Sequence, residues 1–261
     1  MKTICLNCLI YTLKNKDPKE NEYISIFFLW LSKLIQSGGL TSEDALQIHI
    51  DSRTLEYLEN EYTVLPILFD NLQCPFTFIR FDPPENPLEG MMHKYDSVDY
   101  TQDIFIYSDI DIIISNPFHL MTEQMTDKMI YVNKEGDLID PNYSSGFSDK
   151  IDVAGKPGFS AGKFVIVGKD LRNEFFERIH TLCDTSSQFY TVEQPFFNQA
   201  LYSLSRDIVN IDLLTRFVSF NSEGYDKTKT IFHDLAGDVG DGPKHLTKMI
   251  QTICLYITGV Y

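Results

Sequence analysis

The sequence predicts a single α/β domain over residues 1–261, with a mixed, mostly parallel central sheet flanked by helices. Three observations carry this expectation. Apolar runs of strand length alternate with helix-period segments through the first hundred residues. No repeat, low-complexity tract or linker divides the 261 residues. A chain of this length buries a substantial core by itself.

The elements follow in order. TICLNCLIY (3–11) is an apolar run of strand length. NEYISIFFLWLSKLIQSGG (21–39) spaces its apolar residues as a helix does and stops on Gly38 and Gly39. ALQIHID (45–51) reads as a second strand and RTLEYLENE (53–61) as a second helix. CPFTFIRF (74–81) is a third strand, followed by a proline-rich loop, DPPENP. LEGMMHKYDSV (88–98) reads as a helix and IFIYSD (104–109) as a fourth strand. Beyond Pro117 the regularity weakens. Residues 133–162, rich in Asn, Gly, Pro, Ser and Asp, read as a long loop or small insertion. KFVIVGKD (163–170) returns to strand, and LRNEFFERIHTLC (171–183) and TVEQPFFNQALYSL (191–204) are helices. IVNIDLL, FVSF and TIFHDLAG are three further strand-like pieces. The apolar C-terminus, MIQTICLYITGVY, is expected to pack against the domain.

Bulk properties exclude several classes of function. The formal net charge of −15 repels a phosphate backbone, so no nucleic-acid partner is expected, although a small phosphorylated ligand remains open. No apolar run approaches the roughly 20 residues that span a bilayer, so no transmembrane segment is expected. The N-terminal stretch lacks a small-residue cleavage site and reads as a strand rather than a signal peptide. The five cysteines, at positions 5, 8, 74, 183 and 254, are odd in number and scattered, which points to reduced thiols and a cytoplasmic setting. Cys5 and Cys8 read as core residues, since no second ligand pair completes a zinc site.

FIYSDIDIII raises the central question, because Asp109 and Asp111 follow an apolar run directly. A buried carboxylate is costly unless it is paired or metal-bound. In extended backbone, residues two apart face the same way with Cα atoms about 6.5–7 Å apart, so the two carboxylates can share a hard divalent cation. Oxygen ligands suit Mg²⁺ or Mn²⁺, and an added imidazole favours Mn²⁺. Ligands in open α/β sheets bind at the carboxyl ends of strands, where Asp109 stands. The competing reading is a pair of solvated carboxylates at a strand end. Four other stretches each admit two readings. His233 in TIFHDLAG is a structural histidine, or a ligand beside a glycine loop and Lys244 that suit phosphate. Ser160, Ala161 and Gly162 form a turn, or leave room for a sugar ring. Thr191 and Gln194 match a capping box, while Glu193 or Gln194 can face a substrate. Lys94 is a solvated helix lysine, or a cation offsetting a diphosphate.

Taken in chain order, these signals resemble the GT-A (Rossmann-like) nucleotide-sugar glycosyltransferases. The resemblance is greatest to glycosyltransferase family 8, the group of glycogenin and bacterial lipopolysaccharide galactosyltransferases, and spans roughly residues 3 to 250. FIYSDIDIII resembles that family's strand and D-x-D, FSAGKFVIV its Asn-Ser/Ala-Gly strand, VEQPFFNQAL its Asp-Gln helix and IFHDLAG its late metal histidine. The chain differs in having Phe159 for the Asn, Glu193 for the Asp and Asp234 for the aromatic residue after His.

The resemblance implies a nucleotide-binding half over about 1–118 and a sugar and acceptor half over about 119–261. It implies that Asp109, Asp111 and His233 bind Mn²⁺ (or Mg²⁺), which holds the donor's diphosphate. Tyr11 would lie near the nucleobase, with Ser108 and Ile110 along the ribose and phosphates. Lys94, Gly237 and Lys244 would contact diphosphate or sugar, and Glu193 and Gln194 would sit by the transferred sugar. The implied activity is hexosyl transfer from a nucleoside-diphosphate sugar, with uridine the family-level donor base, to a glycan, protein or small-molecule acceptor, with retention. Residues 133–160 are expected to choose the acceptor. Two rivals remain: a haloacid-dehalogenase-like, Mg²⁺-dependent phosphatase using the same D-x-D and the GDVGDG loop, and a nucleotide-sugar binder without turnover.

Overall fold

The computed structural model describes residues 2–145, 152–183, 193–220, 225–235 and 242–257. The chain opens with β1 (Ile4–Ile10), α1 (Tyr23–Ser37), β2 (Ala45–Asp51), α2 (Ser52–Glu61), α3 (Val64–Asp70) and β3 (Phe76–Phe81). Next come α4 (Pro87–Met92), a 3₁₀ turn over His93–Tyr95, β4 (Ile104–Ser108), β5 (Ile112–Ile114) and α5 (His119–Thr122). The second half holds β6 (Met129–Asp137), α6 (Pro141–Ser144), β7 (Pro157–Val167), α7 (Lys169–Leu182) and α8 (Gln194–Tyr202). It closes with β8 (Val209–Asn210), β9 (Val218–Phe220), β10 (Phe232–Asp234) and α9 (Gly242–Ile257).

Seven strands form the main sheet in the order β3-β2-β1-β4-β7-β6-β8, and β5-β10-β9 form a small second sheet. β1 pairs in parallel with β2 and β4, and β2 with β3, while β7 runs antiparallel to β4 and β6. The mixed, mostly parallel sheet predicted from the sequence is therefore present. β1 shows why its run is apolar throughout: Ile4, Leu6, Cys8 and Ile10 enter one core and Cys5 and Leu9 the other. A parallel strand covered on both faces has no solvent side to alternate toward. α1 packs on the first face and ends at Gly38, whose φ of 62° makes the left-handed cap. α7 and α8 cover the second face with Phe175, Phe176 and Phe197.

Several elements depart from the expectation. The stretch read as a loop over 133–162 is strand at both ends, since β6 continues to Asp137 and β7 begins at Pro157, with the short α6 among the described residues between them. Its register shifts between Val132, Lys134 and Gly136, which erases the period-two pattern. Gly136 and Gly158 serve packing: a Cβ on either would come within 2.6 or 2.5 Å of the Tyr143 ring. The helix read over 88–98 is one short helix and a 3₁₀ turn. Of 208–214, only Val209–Asn210 is strand. α3 and α9 were not anticipated. α9 packs on α1 and buries Met249; the side chains of the expected apolar tail from residue 255 on lie outside the described residues. No helix among the described residues is long and apolar enough to cross a membrane.

Candidate active site

Strand order turns about β1. β2 and β3 lie on one side of it and β4 on the other, so the crevice between the carboxyl ends of β1 and β4 is a topological switch point. A cavity of about 250 Å³ opens there. Leu9, Ile10 and Tyr11 line it from β1, and Tyr107, Asp109, Ile110 and Asp111 from β4 and its exit. Tyr23 enters from α1, and Met91, Lys94 and Glu193 close the remaining wall.

Asp109 is the first residue beyond β4. Its amide donates to the Gly162 carbonyl at 2.7 Å, and Tyr107 Oη donates to its Oδ1 at 2.7 Å. Tyr107 and Asp109 are two apart at a strand end and so face the same way. The Asp109 side chain is 37% exposed, toward the cavity it lines. Burial raises its pKa; Lys94 opposes that shift and Glu193 adds to it. Asp111 is pushed up to about 8, by burial first and then by Asp109 and Asp234. Burial and mutual repulsion thus both favour protonation of the pair. Lys94, with a side chain only 2% exposed, donates to Glu193 Oε1 at 2.8 Å and lies 3.6 Å from Asp109 Oδ1. Burial lowers its pKa, but Asp109 and Glu193 outweigh that and hold the ammonium above its ordinary value. The reading of Lys94 as a solvated helix lysine is therefore wrong.

The other sequence-predicted residues are placed as follows. Tyr11 lines the cavity, its hydroxyl donating to the Pro87 carbonyl at 3.1 Å. Gly90 makes room for its ring, since a Cβ there would lie 2.4 Å from Tyr11 Cε2. Ser108 Oγ donates to the Asp109 carbonyl at 3.0 Å, and Ile110 lies on the cavity wall. Ser160 Oγ accepts from the Gly162 amide at 3.2 Å. Ala161 is packed in the core, and its amide donates to Gln194 Oε1 at 3.2 Å. The Gln194 carbonyl oxygen therefore serves β7. Glu193 precedes α8 without making a side-chain cap; Thr191 and Gly237 lie outside the described residues, as does the side chain of Lys244 in the first turn of α9. His233 is fully buried on β10, opposite Ile113 of β5, with its ring 5.0 Å from that of Tyr225.

This pairing brings His233 and Asp234 beside the segment that leaves Asp111. Two carboxylates and an imidazole suit Mn²⁺ in donor type, and a cation there would lower the raised Asp111 pKa. Among the described residues, no three His, Cys, Asp or Glu side chains form a ready ligand set. Sequence reasoning missed Tyr23, Tyr107, Lys163 and Asp234. Tyr107 had a usable signal, its two-residue offset from Asp109; Tyr23 had none.

No family model matches the sequence, and no curated protein matches it. Solved structures do. Galactosyltransferase LgtC in complex with donor and acceptor sugar analogues superposes with a TM-score of 0.57 at 14% identity, covering 95% of each chain. An active-site mutant of LgtC gives the same values. Mouse xyloside xylosyltransferase 1, apo form, gives 0.53 at 13% identity over 91% of this chain and 95% of its own. At such identities the likeness is one of fold, and the chain has the GT-A fold of these glycosyltransferases.

Proposed function

We propose that this protein is a metal-dependent glycosyltransferase that moves a sugar from a nucleoside-diphosphate sugar, with UDP the first candidate carrier, to an acceptor hydroxyl with retention. One observation carries the reading: Asp109 and Asp111 line a cavity at the switch point, at the carboxyl end of a buried strand, in a fold that resembles solved sugar transferases.

Asp109 and Asp111 would hold Mn²⁺ or Mg²⁺, and His233 would have to join them as third ligand, since the three form no ready set. Bound there, the cation supplies Lewis-acid stabilisation of the departing diphosphate. Tyr107 fixes the Asp109 carboxylate, and Gly162 gives it space. Lys94 stands between Asp109 and Glu193 and offsets their charge beside an anionic donor. Glu193 presents negative charge where the transferred sugar gains positive character, and Gln194 holds β7 at Ala161. Tyr11 offers a flat face to the base. Ser108 and Ile110 would lie along the ribose side, with Ser160 and Gly162 toward the sugar; Gly237 and the side chain of Lys244, expected by the phosphates, lie outside the described residues. The buried thiols of Cys5, Cys8 and Cys74 suit a reducing, cytoplasmic setting.

The phosphatase reading needs its D-x-D strand to open the sheet, whereas β4 follows three strands in chain order. The test is release of free nucleoside diphosphate from a panel of nucleotide sugars with Mn²⁺. Release from one donor, lost in Asp109→Ala/Asp111→Ala, is the expected result. Tight donor binding without release, with any acceptor supplied, would reduce the protein to a binder. Hydrolysis of a phosphate monoester alone would overturn the reading.

A further inference from the structure

A second buried ammonium stands behind the carboxylates. Lys163 follows Gly162 on β7, opposite Ser108 of β4, and its side chain is 0% exposed. Its Nζ donates to Asp234 Oδ2 and, at 3.3 Å, to Ser160 Oγ. It also lies 5.0 Å from the centre of the Phe220 ring. Asp234 comes from β10, opposite Ile112, so the ion pair ties the small sheet to the main one. Asp109, Asp111 and Glu135 are within electrostatic reach of the same ammonium. One fixed positive charge is therefore in contact with one carboxylate, Asp234, and acts on three more at longer range, while Lys94 is engaged by Glu193 and Asp109. A buried ion pair is a poor stabiliser against an apolar pair of similar volume, so stability alone does not account for it.

We propose that Lys163, pinned by Asp234 and Ser160, is a resident cation of the site. It holds the four carboxylates together without a divalent ion and sets how tightly such an ion binds beside Asp109 and Asp111. The inference rests on the metal-dependent reading above and names a residue that tunes it.

The test compares wild type, Lys163→Met and Lys163→Met/Asp234→Asn, reading Mn²⁺ affinity from the spin resonance of free Mn²⁺ and thermal melting in chelator. Lys163→Met is expected to bind Mn²⁺ about tenfold tighter, since a nearby like charge is gone. It should also melt below wild type in chelator and recover with Mn²⁺. The double variant, with the wild-type net charge, should bind within about twofold of wild type. Failure of Lys163→Met to fold in chelator, reversed by Mn²⁺, supports the proposal. Failure that neither Mn²⁺ nor the second substitution reverses overturns it. Unchanged or weaker binding by folded Lys163→Met overturns the proposal alone. Absence of Mn²⁺ binding by all three proteins overturns the metal-dependent reading with it.

Discussion

Asp109 and Gly162 are locked together: the Asp109 amide donates to the Gly162 carbonyl at 2.7 Å, and a Cβ on Gly162 would lie 2.5 Å from Asp109 Oδ2. Gly162 is thus a clearance position for a carboxylate. Gly162→Ala is expected to swing Asp109 out of place, lowering Mn²⁺ affinity and turnover by roughly 100-fold, with little change in the urea midpoint. Parallel metal titration and denaturation separate the two effects; a fully active alanine variant would remove the clearance argument.

Tyr107 holds the same carboxylate from the strand side. Tyr107→Phe deletes one hydrogen bond to a charged group, expected to cost about 1.5–3 kcal/mol in part as stability and in part as metal affinity. Because that bond lowers the Asp109 pKa, Mn²⁺ binding by the variant should need a higher pH than in wild type. Titrations across pH decide this, and superimposable profiles would contradict it.

Lys94 is buried between Glu193 and Asp109. Lys94→Met leaves two carboxylates without their cation and is expected to cost about 3–5 kcal/mol in urea unfolding. Lys94→Met/Glu193→Gln should recover part of this loss. No recovery in the double variant would show that the two residues act independently.

His49 is buried on β2, with Nε2 3.2 Å from Asn7 Oδ1. Burial lowers its pKa from 6.5 to about 4. Between these values the unfolded chain binds a proton that the folded chain does not. The His49 contribution is therefore complete above pH 6.5 and is lost as pH falls toward 4, by about 3 kcal/mol in total. His49→Gln should flatten the stability profile in that window relative to wild type, and equal slopes would refute the assignment.

The first half of the fold was readable because β1, β2 and β4 are covered on both faces and α1 carries a helical period to a glycine stop. The β6–β7 pair was not, because its register shifts break the alternation and because Gly136 and Gly158 are chosen for the Tyr143 ring. The site divides in the same way. Asp109 and Asp111 stood out as charges following an apolar run. Lys163 and Asp234 did not: they lie 71 residues apart, and each reads singly as an ordinary surface charge.

On the proposed function, the Asp109–Asp111 pair binds a nucleoside diphosphate through a divalent cation. Calorimetric titration of UDP into the protein, with Mn²⁺ and with chelator, tests it most directly, with GDP and ADP as alternatives and Asp109→Ala/Asp111→Ala as control. Binding of one diphosphate that needs Mn²⁺ and vanishes in the control is the expected result. Binding that persists in chelator and survives the double substitution, or no binding of any of the three, would contradict it.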